Sequence, residues 1–292
     1  MQIGLNLPVM SPGVDRATIE AWCRAIDRGP FSCLAVGERI NFPNPELTVT
    51  LSMAAAWTER VRLLYNVLVM PLHHEVLAAK QIATLDVLSN GRVTLAVGVG
   101  GREEDYAALD VPYGKTRLRR LETKVARMRR IWQGEKAVPS ALRNVEPLPL
   151  QPGGPPVLVG AIFPDSIERA AAWSDGICGF SFSLSAAEVG GAFELARTSW
   201  KKAGRDTPPR LVTGTWVALG DKGREQMDGY LERYLNFLGD AADFVIPTVK
   251  CVDAQSVKDA AARARDLGAD ELVLAPTSWD VDDVKRLEDL LF

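Results

Sequence analysis

This sequence is poor in the residues that most often build metal centres. It has two histidines, adjacent at His73 and His74, and four cysteines, Cys23, Cys33, Cys178 and Cys251. No H-E-x-x-H or similar spacing occurs, so a histidine-based metal cluster is not expected. No C-x-x-C pair occurs either, and the cysteines read as buried free thiols of a reducing compartment. An uninterrupted apolar run long enough to span a bilayer is missing, so no membrane segment is expected. The opening MQIGLNLPVM lacks a basic n-region and begins directly with a strand pattern. That points away from a signal peptide and towards the cytoplasm. A formal net charge of −3 leaves no basic footprint for nucleic acid.

What is abundant is apolar sequence, 47% of 292 residues. Strand-like runs fall at 2–7, 33–37, 62–69, 92–98, 156–161, 175–180, 210–219 and 271–275. Most are continuous rather than alternating, the mark of strands buried on both faces of a parallel sheet. Helical patterns lie between them. In 15–27, Ile19, Trp22, Cys23 and Ile26 share one face. In 117–132, Leu118, Leu121, Val125, Met128 and Trp132 form an apolar stripe among arginines. In 280–291, Val281, Val284 and Leu287 repeat the pattern behind Asp280 as a cap. Eight strands with intervening helices predict an α/β protein with a (β/α)8 TIM barrel, carrying extra insertion loops and helices, as one domain over 1–292. The first strand ends in Asn6-Leu7-Pro8, without the G-x-G-x-x-G that an open dinucleotide-binding sheet would show. The Pro- and Gly-rich stretch 134–156 reads as a long loop, and 221–248 as extra helix before the last strand.

A barrel of this kind carries its site at the C-terminal strand ends. Those ends are mostly apolar, which suits a flat organic cofactor better than a metal or a hydrolytic triad. Gly98, Gly100 and Gly101 form either a tight turn or room for a close-lying ligand. GVGGREED lacks the G-K-S/T ending of a P-loop. Gly160, Ala161 and Ile162 precede a helix pattern from Asp165 to Ser174, either an anion site or an ordinary turn capped by Asp165 or Ser166. Glu38 and Arg39 end a buried strand and are read as facing the pocket rather than as a mutual ion pair. His74 opens a helix, as a capping or a catalytic residue. Lys115, Arg117, Arg119 and Arg120 make a solvated face or reach an anionic tail, for which Arg102 is the better placed cation.

The run TERVRLLYNVLVMPLHHEVLAAKQIATLDVLSNGRVTLAVGVGG resembles the signature of the luciferase-like monooxygenase superfamily. The helix from Leu121 and Glu122 through Met128, Ile131, Trp132 and Gly134, and the segment PPVLVGAIFPDSIERAAAWSDG, are similar to later family motifs, so the likeness covers essentially the whole chain. The resemblance implies a flavin or the deazaflavin coenzyme F420 at the C-terminal face, and commonly a dimer. It implies a bulged third strand with a non-prolyl cis peptide, matched at Asn66-Val67. Glu38 matches a cofactor contact. The histidine that often follows it is replaced by Arg39, which is always protonated and would stabilise an anion instead. The proline that often follows the histidine after the third strand is also missing, since His74 is followed by Glu75. The acid beyond the glycine loop matches Glu103, with Glu104 adjacent.

The sequence therefore predicts an F420-dependent oxidoreductase that moves a hydride between deazaflavin and a small organic substrate. Asn6, Glu38, Asn66 and Val67 would contact the ring. Gly100, Gly101 and Arg102, with Gly160, Ala161 and Ile162, would hold the tail. Glu38, Arg39 and Glu103 would be the catalytic groups. A reduced-FMN monooxygenase served by a separate flavin reductase is the alternative in the same family. A cofactor-free lyase or ligand binder is the alternative outside it. Phe42, Trp216, Tyr230 and Trp279 form either an aromatic substrate wall or ordinary core.

Overall fold

The computed structural model describes residues 1–161 and 163–292. Eight parallel strands pair in sequence order and close on themselves. They are β1 (Gln2–Asn6), β2 (Cys33–Val36), β3 (Arg62–Val69), β4 (Val93–Gly98), β5 (Val157–Val159), β6 (Gly176–Cys178), β7 (Arg210–Val217) and β8 (Glu271–Pro276). Each lies within or one residue beyond its expected run. The helices are α1 (Arg16–Arg28), α2 (Leu47–Trp57), α3 (Glu75–Leu88), α4 (Glu103–Ala107), α5 (Arg117–Trp132), α6 (Pro164–Ala170), α7 (Gly191–Lys202), α8 (Gly223–Leu235), α9 (Ala242–Val245), α10 (Ala254–Asp266) and α11 (Asp282–Leu291). No helix among the described residues is long and apolar enough to cross a membrane.

The apolar stripes explain the packing. Trp22, Cys23 and Ile26 of α1 are buried, as are Leu121, Val125, Met128 and Trp132 of α5. They join one large core between the helices and the outside of the barrel. A second, smaller core fills the barrel itself with Cys33, Ala35, Leu64, Ala96, Leu158, Cys178, Val212 and Val273. Those side chains are modest in size because eight strands leave an interior wide enough for side chains and little more. At the N-terminal end Glu271 closes the barrel. Its side chain is 1% exposed and pairs with Arg62 and Arg210, each at 2.6 Å.

Three local expectations need correction. Asp280 is not the cap residue of the last helix. That helix begins at Asp282, and Asp280 Oδ1 accepts the Asp282 N–H at 3.1 Å. Neither Asp165 nor Ser166 caps α6, which starts at Pro164 after Phe163 and stops at Ala170 rather than Ser174. Proline at the first helical turn needs no capping acceptor for its own nitrogen. As expected, the 134–156 stretch is loop and 221–248 is largely helical, with α8 followed by a 3-10 turn broken at Gly239.

One irregularity positions the site. β3 and β4 run in register from Leu63 opposite Val93 to Tyr65 opposite Leu95. The pairing then shifts so that Leu68 faces Val97. One extra residue on β3 makes a bulge, which re-aims the side chains around it. The Asn66–Val67 peptide bond within it is cis.

Candidate functional site

The C-terminal strand ends surround a cavity of about 300 Å³. Its floor is built by the β3 bulge. A Cβ on Gly98 would lie 2.8 Å from Val67 Cγ2, and one on Gly160 would lie 2.9 Å from Val67 Cγ1. Gly100, at φ +64°, sits against Val69, whose Cγ1 would be 2.8 Å from an added Cβ. The two readings of the glycines thus meet in a third. Their bareness first admits the valines of β3, and those valines form the surface on which a ligand rests. A Cβ on Gly101 would meet nothing within 4 Å.

Polar groups cross the floor as a chain. Asn66 Nδ2 donates to Asn6 Oδ1 at 3.5 Å, and Asn6 Nδ2 donates to the Leu7 carbonyl at 2.8 Å. The Cys178 thiol donates to Asn66 Oδ1 at 3.4 Å. Burial pushes the Cys178 thiol up to about 12, so it stays protonated and can act as a donor.

The opposite wall is aromatic. Phe180 and Trp216 ring centroids are 4.4 Å apart, Trp216 and Tyr234 5.5 Å, and Tyr230 stacks on Tyr234 at 5.8 Å. Burial drives the Tyr230 hydroxyl far above the ordinary phenol value. Trp216 and Tyr230 of the expected aromatic set line the cavity, and Phe42 meets Tyr234 edge to face. Trp279 does not line it and packs on Trp22.

Glu38 supplies the carboxylate in the lining, and both its oxygens are occupied. Oε2 accepts the Val69 N–H at 2.6 Å, and Oε1 lies 2.8 Å from His73 Nε2. The glutamate thereby clamps the end of β3 beside the bulge. Its side chain is 3% exposed, while His73 reaches towards solvent at 22%. Sequence reasoning missed His73, because its partner is 35 residues away and no local pattern links them. His74 takes the capping role: it is the N-cap of α3, and its Nδ1 accepts the Val76 N–H at 3.3 Å.

Of the sequence-proposed site residues, Asn6, Glu38, Asn66, Val67, Gly100, Arg102 and Gly160 line the cavity. Gly101 and Glu103 are exposed on the adjoining loop and first turn of α4. Ala161 is buried in the outer core. Ile162 lies outside the described residues. Arg39 does not line the cavity. Its side chain, 1% exposed, pairs with Glu104 at 3.0 Å, and its guanidinium stands 4.1 Å from the Phe42 ring centroid. Of the arginine cluster, Arg117 donates to the Gly100 carbonyl at 2.8 Å and so fixes the glycine loop from behind. Tyr234 and Phe237, not expected as site residues, also line the cavity. With Tyr230 they recur at i, i+4 and i+7, a one-face helical spacing that was the available signal.

The fold and this cavity define a parallel (β/α)8 barrel with a ligand pocket at its C-terminal mouth, the end where such barrels carry their sites. The chain belongs to the luciferase-like monooxygenase family, whose model matches residues 2–284. That places it among luciferase-like oxidoreductases and monooxygenases. An uncharacterized protein of Mycobacterium tuberculosis is 30% identical over 211 residues, which are 63% of this chain and 73% of that one. The F420-dependent glucose-6-phosphate dehydrogenase of Beutenbergia cavernae is 42% identical over 89 residues, 30% of this chain and 26% of that enzyme. A solved structure from Pseudomonas putida, the oxygenating constituent of 3,6-diketocamphane monooxygenase in complex with FMN, superposes with a TM-score of 0.74. It covers 100% of this chain and 96% of that one at 18% identity.

Proposed function

We propose that the cavity takes a flavin-type tricycle and that the protein is a coenzyme F420-dependent oxidoreductase acting on a small organic molecule. The observation that carries this reading is the lining of the cavity by Val67 and the aromatic side chains of Phe180, Trp216, Tyr230 and Tyr234, a mostly apolar space with few polar groups. Among the described residues, no group of three or more His, Cys, Asp or Glu could hold a metal ion. The residues present fit a flat, mostly apolar group with one wet edge.

When bound, the deazaflavin would supply the hydride chemistry, and the chain supplies orientation and a dry pocket. Val67 would bear on the ring, and Phe180 and Trp216 would line the space left for the substrate. Asn6 and Asn66 present amide groups to the ring edge, while Gly100 and Gly160 border the path of the tail. Glu38 stands at the inner edge, held by Val69 and linked through His73 to solvent, a route by which a proton enters or leaves. The choice of F420 rests on Glu38 at its family position and on the short match to the Beutenbergia dehydrogenase. A homodimer and a cytoplasmic location belong to the same reading.

A reduced-FMN monooxygenase, supplied by a separate reductase, is the second reading. The FMN complex of the Pseudomonas neighbour favours it, and an aromatic wall that excludes water would suit it. Ultraviolet-visible titration with F420 and with FMN decides. Micromolar F420 binding with weaker FMN binding is expected. FMN binding alone moves the assignment to the second reading, and binding of neither overturns both.

A further inference from the structure

On the rim of the cavity stands Arg102, with a second, buried arginine, Arg39, close enough to share one tyrosine with it. Arg102 lines the cavity, its guanidinium 4.8 Å from the Tyr234 ring centroid and 4.4 Å from that of Phe237. Arg39 lies 5.6 Å from the same Tyr234 ring, so one tyrosine is shared by two cations. Burial first, and the Arg102 charge second, lower the Arg39 pKa. Among the described residues, Arg39 Nε and Nη1 and Arg102 Nε are buried without a hydrogen-bond partner.

The acids nearby leave those three nitrogens without an acceptor. Glu104 pairs with Arg39 but is 54% exposed. Asp105 Oδ1 is taken by the backbone N–H groups of Ile40 and Asn41. Both oxygens of Glu38 are engaged elsewhere. Buried guanidinium nitrogens are normally paired. Arg39 keeps its Nη2 on Glu104, whereas the Arg102 guanidinium, lying against two rings, makes no hydrogen bond among the described residues and is open to a carboxylate or phosphate.

We propose that Arg102, backed by Arg39 across Tyr234, forms an anion subsite that recognises the acid group of the substrate, a carboxylate or phosphate carried on a flat apolar body. The word substrate rests on the cofactor reading above; the cation pair and its missing acceptors do not. The cofactor's own phosphate is the other source of such an anion. The position of the pair favours the substrate. Arg102 leaves the same loop as Gly100, but its guanidinium lies against Tyr234 and Phe237 on the aromatic side, and Arg39 follows β2 rather than β4 or β5.

Isothermal titration of the full chain tests this, with benzoate and benzamide as probes and FMN and riboflavin as the tail control. Benzoate is expected to bind about tenfold or more tighter than the neutral benzamide. Arg102→Gln should remove that preference and leave the FMN-to-riboflavin ratio unchanged. Arg102 is only partly buried, and circular dichroism would confirm that the variant folds; Arg39→Gln adds a second arm if it also folds. Equal binding of the two probes, no benzoate binding, or unchanged benzoate binding in Arg102→Gln overturns the proposal. A variant that loses FMN preference over riboflavin while keeping benzoate overturns the substrate assignment in favour of the tail. If neither cofactor binds the wild type but benzoate binds through Arg102, the cofactor reading fails and the anion subsite stands.

Discussion

Val67 occupies the space that a side chain on Gly98 would need, its Cγ2 only 2.8 Å from where that Cβ would be. A β-branched side chain has little freedom to move aside, and Gly160 confines it from the other flank. Gly98→Ala is therefore expected to force Val67 into the cavity. The cost should be about 1–3 kcal/mol in stability, the usual range for overpacking. Cofactor affinity should fall with it. Adding Val67→Ala should restore much of the stability, because it removes the clashing methyl groups. Urea unfolding of the single and double variants measures this. An unchanged midpoint in Gly98→Ala would show that the floor is softer than the packing implies.

Glu38 offers a second test, since one carboxylate holds both the Val69 N–H and His73. Glu38→Ala leaves a buried backbone donor without its acceptor, which costs about 1–3 kcal/mol. Glu38→Gln keeps one oxygen for Val69 and should cost less than the alanine variant. Thermal melts of both rank the two effects. Equal losses in alanine and glutamine would mean that the His73 contact, and not the Val69 bond, carries the stabilisation.

Acid sensitivity should come from the opposite end of the barrel. Burial alone would raise the Glu271 carboxyl, but Arg62, Ser32 and Arg210 outweigh it and hold it below the ordinary carboxylate value. The folded state thus binds this proton more weakly than the unfolded chain. The stabilisation is full above the unfolded carboxylate pKa and is lost as pH falls through the depressed folded value. Unfolding free energy of the wild type should decline as pH falls below the ordinary carboxylate range. Glu271→Gln should be less stable at neutral pH, because it leaves two arginines facing a neutral amide, and its decline in acid should be shallower. Identical acid slopes for the two proteins would remove Glu271 from the account.

Much of the barrel was legible in the chain. Eight apolar runs separated by amphipathic stripes, such as Trp22, Cys23 and Ile26, specify parallel strands covered by helices. Burial on both faces demands such runs, and a helix needs one apolar face. The strand ends that line the cavity, Asn6, Glu38, Asn66, Gly100 and Gly160, follow from that order, because a closed barrel brings them to one mouth. Short-range pattern could not supply the partners. The pairing of Glu38 with His73, of Val67 with two glycines, and of Arg39 with Arg102 across Tyr234 joins residues from different strands, the loops that follow them and α8. Sequence spacing carries no record of such contacts. They exist only once barrel closure, the register shift in β3 and the fold of α8 over the mouth set distances of a few ångströms between residues far apart in the chain.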